Sequence, residues 1–241
     1  MLPASRPAKW WLLLVIVIVL AGTLFFLRHE FIEGLRGPRL YALRAFVVAA
    51  SLLAWFTTQS LLGTRALTSG AITDGMHELT APLHRYLQAR PKLVNVILIV
   101  SSAFIDIFGL FLIAAGIFGP SLRPFVALLL LFAMRQVCQA FCALQAPEGM
   151  IWRHPGVPSL LVTYTVESDF FFSGHTAIAV VAAVEIAHVA PWWLGVAAGI
   201  IAFLEASVVL VLRAHYTMDI FAAVAAAFCA IGLAGWICPV A

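Results

Sequence analysis

The sequence predicts an all-α fold, a polytopic bundle of transmembrane helices, on three observations. Hydrophobic residues fill 63% of the 241 positions and charged residues only 10%, against roughly 45–50% and about 25% in soluble domains. The mean hydropathy is +1.05. Seven apolar stretches are long enough to cross a hydrocarbon core about 30 Å thick. These figures exclude a soluble enzyme and a disordered chain. The net charge of only +3, from 14 Lys+Arg against 11 Asp+Glu, leaves no basic surface to grip a nucleic acid. Stretches this apolar and free of strand-like alternation satisfy their backbone groups internally, as helices do.

The first stretch, 10–27, follows Arg6 and Lys9 and runs into Phe25, Phe26, Leu27 and Arg28 without a small-x-small cleavage site. It reads as a retained anchor, so residues 1–42 form an N-terminal span and loop, and 43–241 a six-span catalytic domain. The second stretch covers 43–62. The polar segment 63–92 then contains His77-Glu-Leu-Thr-Ala-Pro-Leu-His-Arg-Tyr-Leu87, which reads as an amphipathic helix suited to the membrane surface, broken or initiated at Pro82, or as a solvated loop. Spans follow at 93–118 and 124–144. The connection 145–171 carries Pro147, Pro155, Gly156 and Pro158, so it is not helical throughout. The last three spans cover 172–190, 192–212 and 217–238. Cys138, Cys142, Cys229 and Cys238 lie in apolar runs without Cys-x-x-Cys spacing and read as small buried hydrophobes.

Ionisable groups inside a bilayer are costly, so each is a candidate for function. Asp106, Arg135, Glu185, His188 and Glu205 fall within spans, and His175, Arg213, His215 and Asp219 at span ends. Forty residues, two apolar spans and a turn at Pro191 separate His175 from His215, so both histidines return to one membrane face. Asp219 follows His215 by four residues, one helical turn, where a carboxylate can accept the imidazole Nδ1–H and leave Nε2 free to attack. Ser173-Gly-His-Thr176 opens a helix whose free N–H groups and dipole favour an anion. Gly174 admits a ligand close to the backbone, Ser173 and Thr176 add hydroxyl donors, and Arg213 and Arg135 add fixed charge suited to phosphate. Tyr216 and Asp169, beside the two histidine segments, complete the candidate substrate-binding set. Together these residues describe phosphoryl transfer through a phosphohistidine, with no metal and no cofactor. Glu185 and Glu205 lie at matching depth and read either as the border of a substrate cavity or as interhelical hydrogen-bonding groups. Asp106 and Arg135 read as a buried ion pair or as substrate contacts.

Phe172-Ser-Gly-His-Thr176 and His215-Tyr-Thr-Met-Asp-Ile220 resemble the two histidine motifs of the type 2 phosphatidate phosphatase superfamily. The closer resemblance is to its sphingomyelin synthase-like branch, which includes ceramide phosphoethanolamine synthases and plant phosphatidylcholine:diacylglycerol cholinephosphotransferases. Arg135-Gln-Val-Cys-Gln, followed by Ala146-Pro147, is similar to the arginine-led segment of that branch. Leu83-His-Arg-Tyr-Leu-Gln-Ala-Arg-Pro91 is loosely similar to an upstream segment of the plant enzymes. The chain departs from the hydrolytic members. Gly116 stands where the lysine of their first motif is expected before Arg123-Pro124, and Val209 where the arginine of their third motif is expected. Both departures favour the transferases.

The resemblance implies a six-helix phosphatase-like core plus one extra N-terminal span. It also implies transfer of a phosphocholine or phosphoethanolamine headgroup from a phospholipid donor to a diacylglycerol or ceramide acceptor within the membrane. His215 is then the nucleophile oriented by Asp219, and His175 the acid and base. A lipid phosphate phosphatase and a non-enzymatic transporter are the competing readings; the transporter leaves the Ser-Gly-His segment unexplained. The histidine side carries eight Lys/Arg and the other side five, which by the positive-inside rule favours a cytoplasmic site. The resemblance implies the periplasmic or lumenal face, and that orientation is the expectation adopted.

Overall fold

The computed structural model describes residues 37–62, 72–142, 144–164 and 170–239. The first expected span, 10–27, and Asp169 lie outside the described residues. Among the described residues there are eight helices and no strand: α1 (Pro38–Leu62), α2 (Gly75–Leu79), α3 (Ala81–Gln88), α4 (Pro91–Phe118), α5 (Arg123–Phe141), α6 (Gly174–Val189), α7 (Trp192–Val211) and α8 (Thr217–Ile237). Local chemistry sets their starts. Prolines open α3, α4 and α5, where a missing N–H costs nothing. Asp74 caps α2 by accepting from the Met76 and His77 N–H groups, and Ser173 caps α6 by accepting from Thr176 N–H.

Helices α1, α4, α5, α7 and α8 are long and apolar enough to cross a membrane, so the chain is a multi-pass integral membrane protein. The span expected over 172–190 is shorter. Helix α6 has 16 residues, about 24 Å at 1.5 Å per residue, because the Ser173 cap ends it and leaves Phe172 in irregular chain. It packs against α4, α5, α7 and α8. Surrounded by protein, its flanking backbone finds partners there and needs no full-length helix.

Small side chains make this close packing possible. Ala177, Ala179, Ala182 and Ala183 of α6 and Ala223, Ala226, Ala227, Ala230 and Ala234 of α8 are all buried in the central cluster, the composition by which helices approach closely in a bilayer. Gly195 of α7 sits against Ala187, where an added Cβ would come within 2.7 Å of the alanine methyl. The cysteines depart from expectation: Cys142 and Cys229 are exposed, and Cys138 and Cys238 only half-buried. Lipid is the solvent on that surface, and a small apolar side chain costs nothing there.

The long connection between α5 and α6 folds against the middle of α4. Asp106 accepts hydrogen bonds from the Ser159 hydroxyl at 2.9 and 3.0 Å and from the Leu160 and Leu161 N–H groups at 2.9 Å each. Gly109, almost one turn further on, lacks the Cβ that would collide with the Leu161 side chain. Of the two readings of Asp106 and Arg135, the ion pair is not met. Arg135 Nε donates to the Phe172 carbonyl at 3.0 Å, so each charge serves irregular backbone.

The amphipathic segment forms as expected, split at Thr80 into α2 and α3. One face buries His77, His84 and Leu87, and the other exposes Leu79, Leu83 and Tyr86, with the Arg90 guanidinium 3.6 Å above the Tyr86 ring. The buried face lies against the end of α7 and the chain that follows it. Asp106→Ala would remove the acceptor of two N–H groups and a hydroxyl, of which the Leu161 N–H belongs to a buried residue and costs about 1–3 kcal/mol when left unpartnered. We expect a clear fall in the thermal midpoint of the detergent-solubilised protein, and a comparable fall for Gly109→Leu; unchanged midpoints would contradict this account of the connection.

Candidate functional site

The two histidines stand at different kinds of backbone. His175 is the second residue of α6, while His215 lies in the five-residue connection 212–216 between α7 and α8. Both line one recess enclosing about 620 Å³ of space, open solvent included, together with Arg135 and Gly174. Trp55, Phe132 and Trp152 supply aromatic wall, and Ile105, Leu161 and Ile178 aliphatic wall. The recess thus combines a mostly apolar wall with a few polar groups, His175, His215 and Arg135 among them.

His215 precedes α8 instead of sharing a helix face with Asp219. Its Nδ1 lies 3.0 Å from the Phe170 carbonyl and 3.4 Å from Asp219 Oδ2. A carbonyl and a carboxylate can only accept, so Nδ1 carries the proton and Nε2 keeps its lone pair. The closer acceptor is the carbonyl, not the expected carboxylate. Asp219 is fully buried and spends Oδ2 on the Tyr216 N–H at 2.8 Å, while Oδ1 has no hydrogen-bond partner. A buried carboxylate beside the ring favours any positive charge that develops on it.

His175 is held differently. Its ring meets the Trp152 ring edge-on, with centroids 5.1 Å apart and an interplanar angle of 88°, and its buried Nε2 has no hydrogen-bond partner among the described residues. Arg135, fixed by its bond to the Phe172 carbonyl, lies over Gly174, where an added Cβ would come 3.5 Å from Nε. The guanidinium thus rests against the first turn of α6 beside His175.

Several expected ligands are engaged elsewhere. The Ser173 and Thr176 hydroxyls bond each other at 3.1 Å, both buried and outside the recess lining, and they fix the start of α6. Arg213 takes a left-handed backbone, φ 55°, and donates to the Glu148 carbonyl at 2.8 Å, so its charge goes to the 148–149 turn and not to the recess. The Tyr216 hydroxyl donates to the Gln145 carbonyl at 3.2 Å. Burial, with the Asp219 and Asp74 carboxylates, pushes that phenol above its ordinary pKa and keeps it a donor. Glu185 pairs with Arg123 at 3.0 Å, and Glu205 accepts from the Ser101 hydroxyl at 2.5 Å. Neither glutamate lines the recess, which corrects the cavity-border reading in favour of interhelical bonds.

Sequence reasoning missed a second layer. Asp74 accepts from Thr217 N–H at 2.6 Å and from its hydroxyl at 2.7 Å, His77 Nε2 donates to the His215 carbonyl at 2.9 Å, and His84 Nδ1 to the Val211 carbonyl at 2.8 Å. The available signal was periodicity: His77 and His84 share a face seven residues apart, opposite Leu79, Leu83 and Tyr86. The aromatic walls from Trp55 and Trp152 were also missed, since one lies in an apolar span and the other in the irregular connection, and neither belongs to a distinguishing pattern.

Fold and recess together define a multi-pass helical membrane protein with a buried histidine pair facing an apolar chamber. The chain belongs to the AtPDCT1/2 family, the phosphatidylcholine:diacylglycerol cholinephosphotransferases, whose model matches residues 73–236. It is thereby a member of a family of membrane enzymes acting on phospholipids. Comparison with the curated proteins and with the solved structures finds no match.

Burial works to raise the pKa of Asp74, but the bonds from Thr217 and the His77 N–H outweigh it and hold the carboxyl below the ordinary value. A depressed folded pKa stabilises the fold above the unfolded value, near 4, and that contribution is lost as pH falls through the folded one. We therefore expect part of the fall in thermal midpoint below about pH 4 to disappear in Asp74→Asn. An identical pH profile for the two proteins would contradict the bonding described.

Proposed function

We propose that the protein transfers phosphocholine from phosphatidylcholine to diacylglycerol through a phosphohistidine at His215. The observation that carries this reading is the His215 ring, whose Nδ1–H is committed to acceptors so that Nε2 is a free nucleophile in the recess shared with His175 and Arg135. Family membership supplies the donor and acceptor class.

In the first half-reaction Nε2 of His215 attacks the phosphorus, and the bond from phosphorus to the glycerol oxygen breaks. With the anionic phosphodiester seated beside it, His175 takes up a proton and gives it to that oxygen, releasing diacylglycerol. In the second, neutral His175 takes the proton of an incoming diacylglycerol hydroxyl, the oxygen attacks phosphorus, and the phosphorus–nitrogen bond breaks to restore His215. Arg135 offsets charge on the non-bridging oxygens, where fixed positive groups supply much of the rate. Asp219 stabilises the ring while it is cationic. Among the described residues lining the recess none is acidic, and Trp55, Phe132 and Trp152 offer the kind of aromatic surface that holds a quaternary ammonium.

The test supplies choline-labelled phosphatidylcholine and unlabelled diacylglycerol of a different acyl length to the purified protein. Label should move into the new phosphatidylcholine. His215→Ala should abolish transfer, His175→Ala lower it about 10²–10⁴-fold, and Arg135→Ala about 10²–10³-fold. Arg213→Ala should cost far less, because its charge lies outside the recess. Transfer undiminished in His215→Ala overturns the mechanism, and label released as free phosphocholine means hydrolysis.

A further inference from the structure

The peptide plane between His215 and Tyr216 is held from both sides by side chains. Its carbonyl accepts from His77 Nε2 at 2.9 Å, and its N–H donates to Asp219 Oδ2 at 2.8 Å. On one side, the carbonyl of Val211, the last residue of α7, accepts from His84 Nδ1 at 2.8 Å. On the other, the N–H and hydroxyl of Thr217, the first residue of α8, both go to Asp74. The 211–217 segment thus carries the nucleophile between two helix ends, and three side chains from the α2–α3 unit, Asp74, His77 and His84, grip it at its start, centre and finish.

Sequence and burial show that this grip is built. His77 and His84 are 7% and 3% exposed on the one buried face of a helix pair whose other face is apolar and open. The acceptors they meet are backbone carbonyls, so the donating nitrogen is defined in each ring: Nε2–H in His77 and Nδ1–H in His84. Each histidine thus contributes the reach and direction of one N–H group. Tyr216 completes the brace by lying against the His77 ring, with centroids 5.7 Å apart.

We infer that Asp74, His77 and His84 are positioning residues for the nucleophile, fixing the backbone of His215 so that Nε2 is aimed into the recess. None of the three lines that recess, so they act through the main chain and not on substrate. The inference rests on the transferase reading for its kinetic consequence, and on geometry alone for the placement of the ring.

The experiment uses the full chain in proteoliposomes of phosphatidylcholine with added diacylglycerol. His77→Leu should lower kcat about 10- to 100-fold, the scale of a misaligned reacting group, with KM for phosphatidylcholine changed less than about twofold. A glutamine amide places its N–H near the position of an imidazole Nε2–H, and an asparagine amide near Nδ1–H. His77→Gln and His84→Asn should therefore keep most of the wild-type kcat, while the exchanged pair, His77→Asn and His84→Gln, should not. If His77→Leu fails to fold, the four amide variants carry the test. Equal kcat in wild type and His77→Leu, or no difference between matched and exchanged amides, overturns the inference.

A second measurement does not depend on turnover. In ¹⁵N-histidine spectra His215 should show one sharp Nδ1–H resonance in wild type and His77→Gln, and a broadened or shifted one in His77→Leu. An unchanged resonance in His77→Leu overturns the clamp. Where wild type moves no label, or His215→Ala moves as much as wild type, the transferase reading fails, and the spectra still decide the clamp.

Discussion

The constraint on which the structure depends is that irregular backbone in or beside a bilayer must find hydrogen-bond partners within the protein. Two irregular stretches approach the recess: the connection before α6, down to its last residues at 170–173, and the 212–216 link. Each is answered by a polar side chain. Asp106 takes the Leu160 and Leu161 N–H groups, Arg135 the Phe172 carbonyl, and His215 the Phe170 carbonyl; His77 takes the His215 carbonyl. Main chain answers main chain once more where Ile151 N–H reaches the Leu212 carbonyl at 2.8 Å. The few charges that an apolar chain can carry are spent on this accounting first.

Orientation at the site follows from the same bonds. Arg135 is aimed by the carbonyl it satisfies, and the tautomer of His215 is set by an acceptor that belongs to the neighbouring loop. Groups fixed in this way need little rearrangement when charge develops, which is the condition under which fixed dipoles and charges are most effective. The small-residue seam between α6 and α8 contributes by holding the helix that begins at the first histidine against the helix that follows the second.

The spans were legible because apolar runs and prolines report directly on helices; α1, α4, α5, α7 and α8 fall where the sequence puts them, within a few residues. Helix α6 starts two residues later than expected, because the Ser173 cap sets its start where hydropathy alone does not. Two histidines returning to one face could be deduced by counting spans. Which hydroxyls and guanidiniums face the recess could not, because Ser173, Thr176 and Arg213 carry the residue types of a phosphate site and the local backbone directs them elsewhere. Asp74, His77 and His84 lie more than a hundred residues from the atoms they hold, a relation that only the folded chain displays.

The two histidines also differ in how tightly they are held, and the difference fits a division of labour. A nucleophile works from one tautomer, and His215 is fixed in one by acceptors at 3.0 and 3.4 Å on the same nitrogen. A group that must donate a proton in one half-reaction and accept one in the next cannot have its working nitrogen tied to a protein acceptor, because that bond would have to break at every turnover. His175 Nε2 has no such tie, and the ring is located by the Trp152 edge contact, which constrains position without fixing the proton. Aromatic and aliphatic side chains make up most of the wall of the recess that His175 lines, so a substrate brought into it meets little competing water. The structure thus separates a histidine defined by hydrogen bonds from one defined by packing, and the proposed chemistry needs one of each.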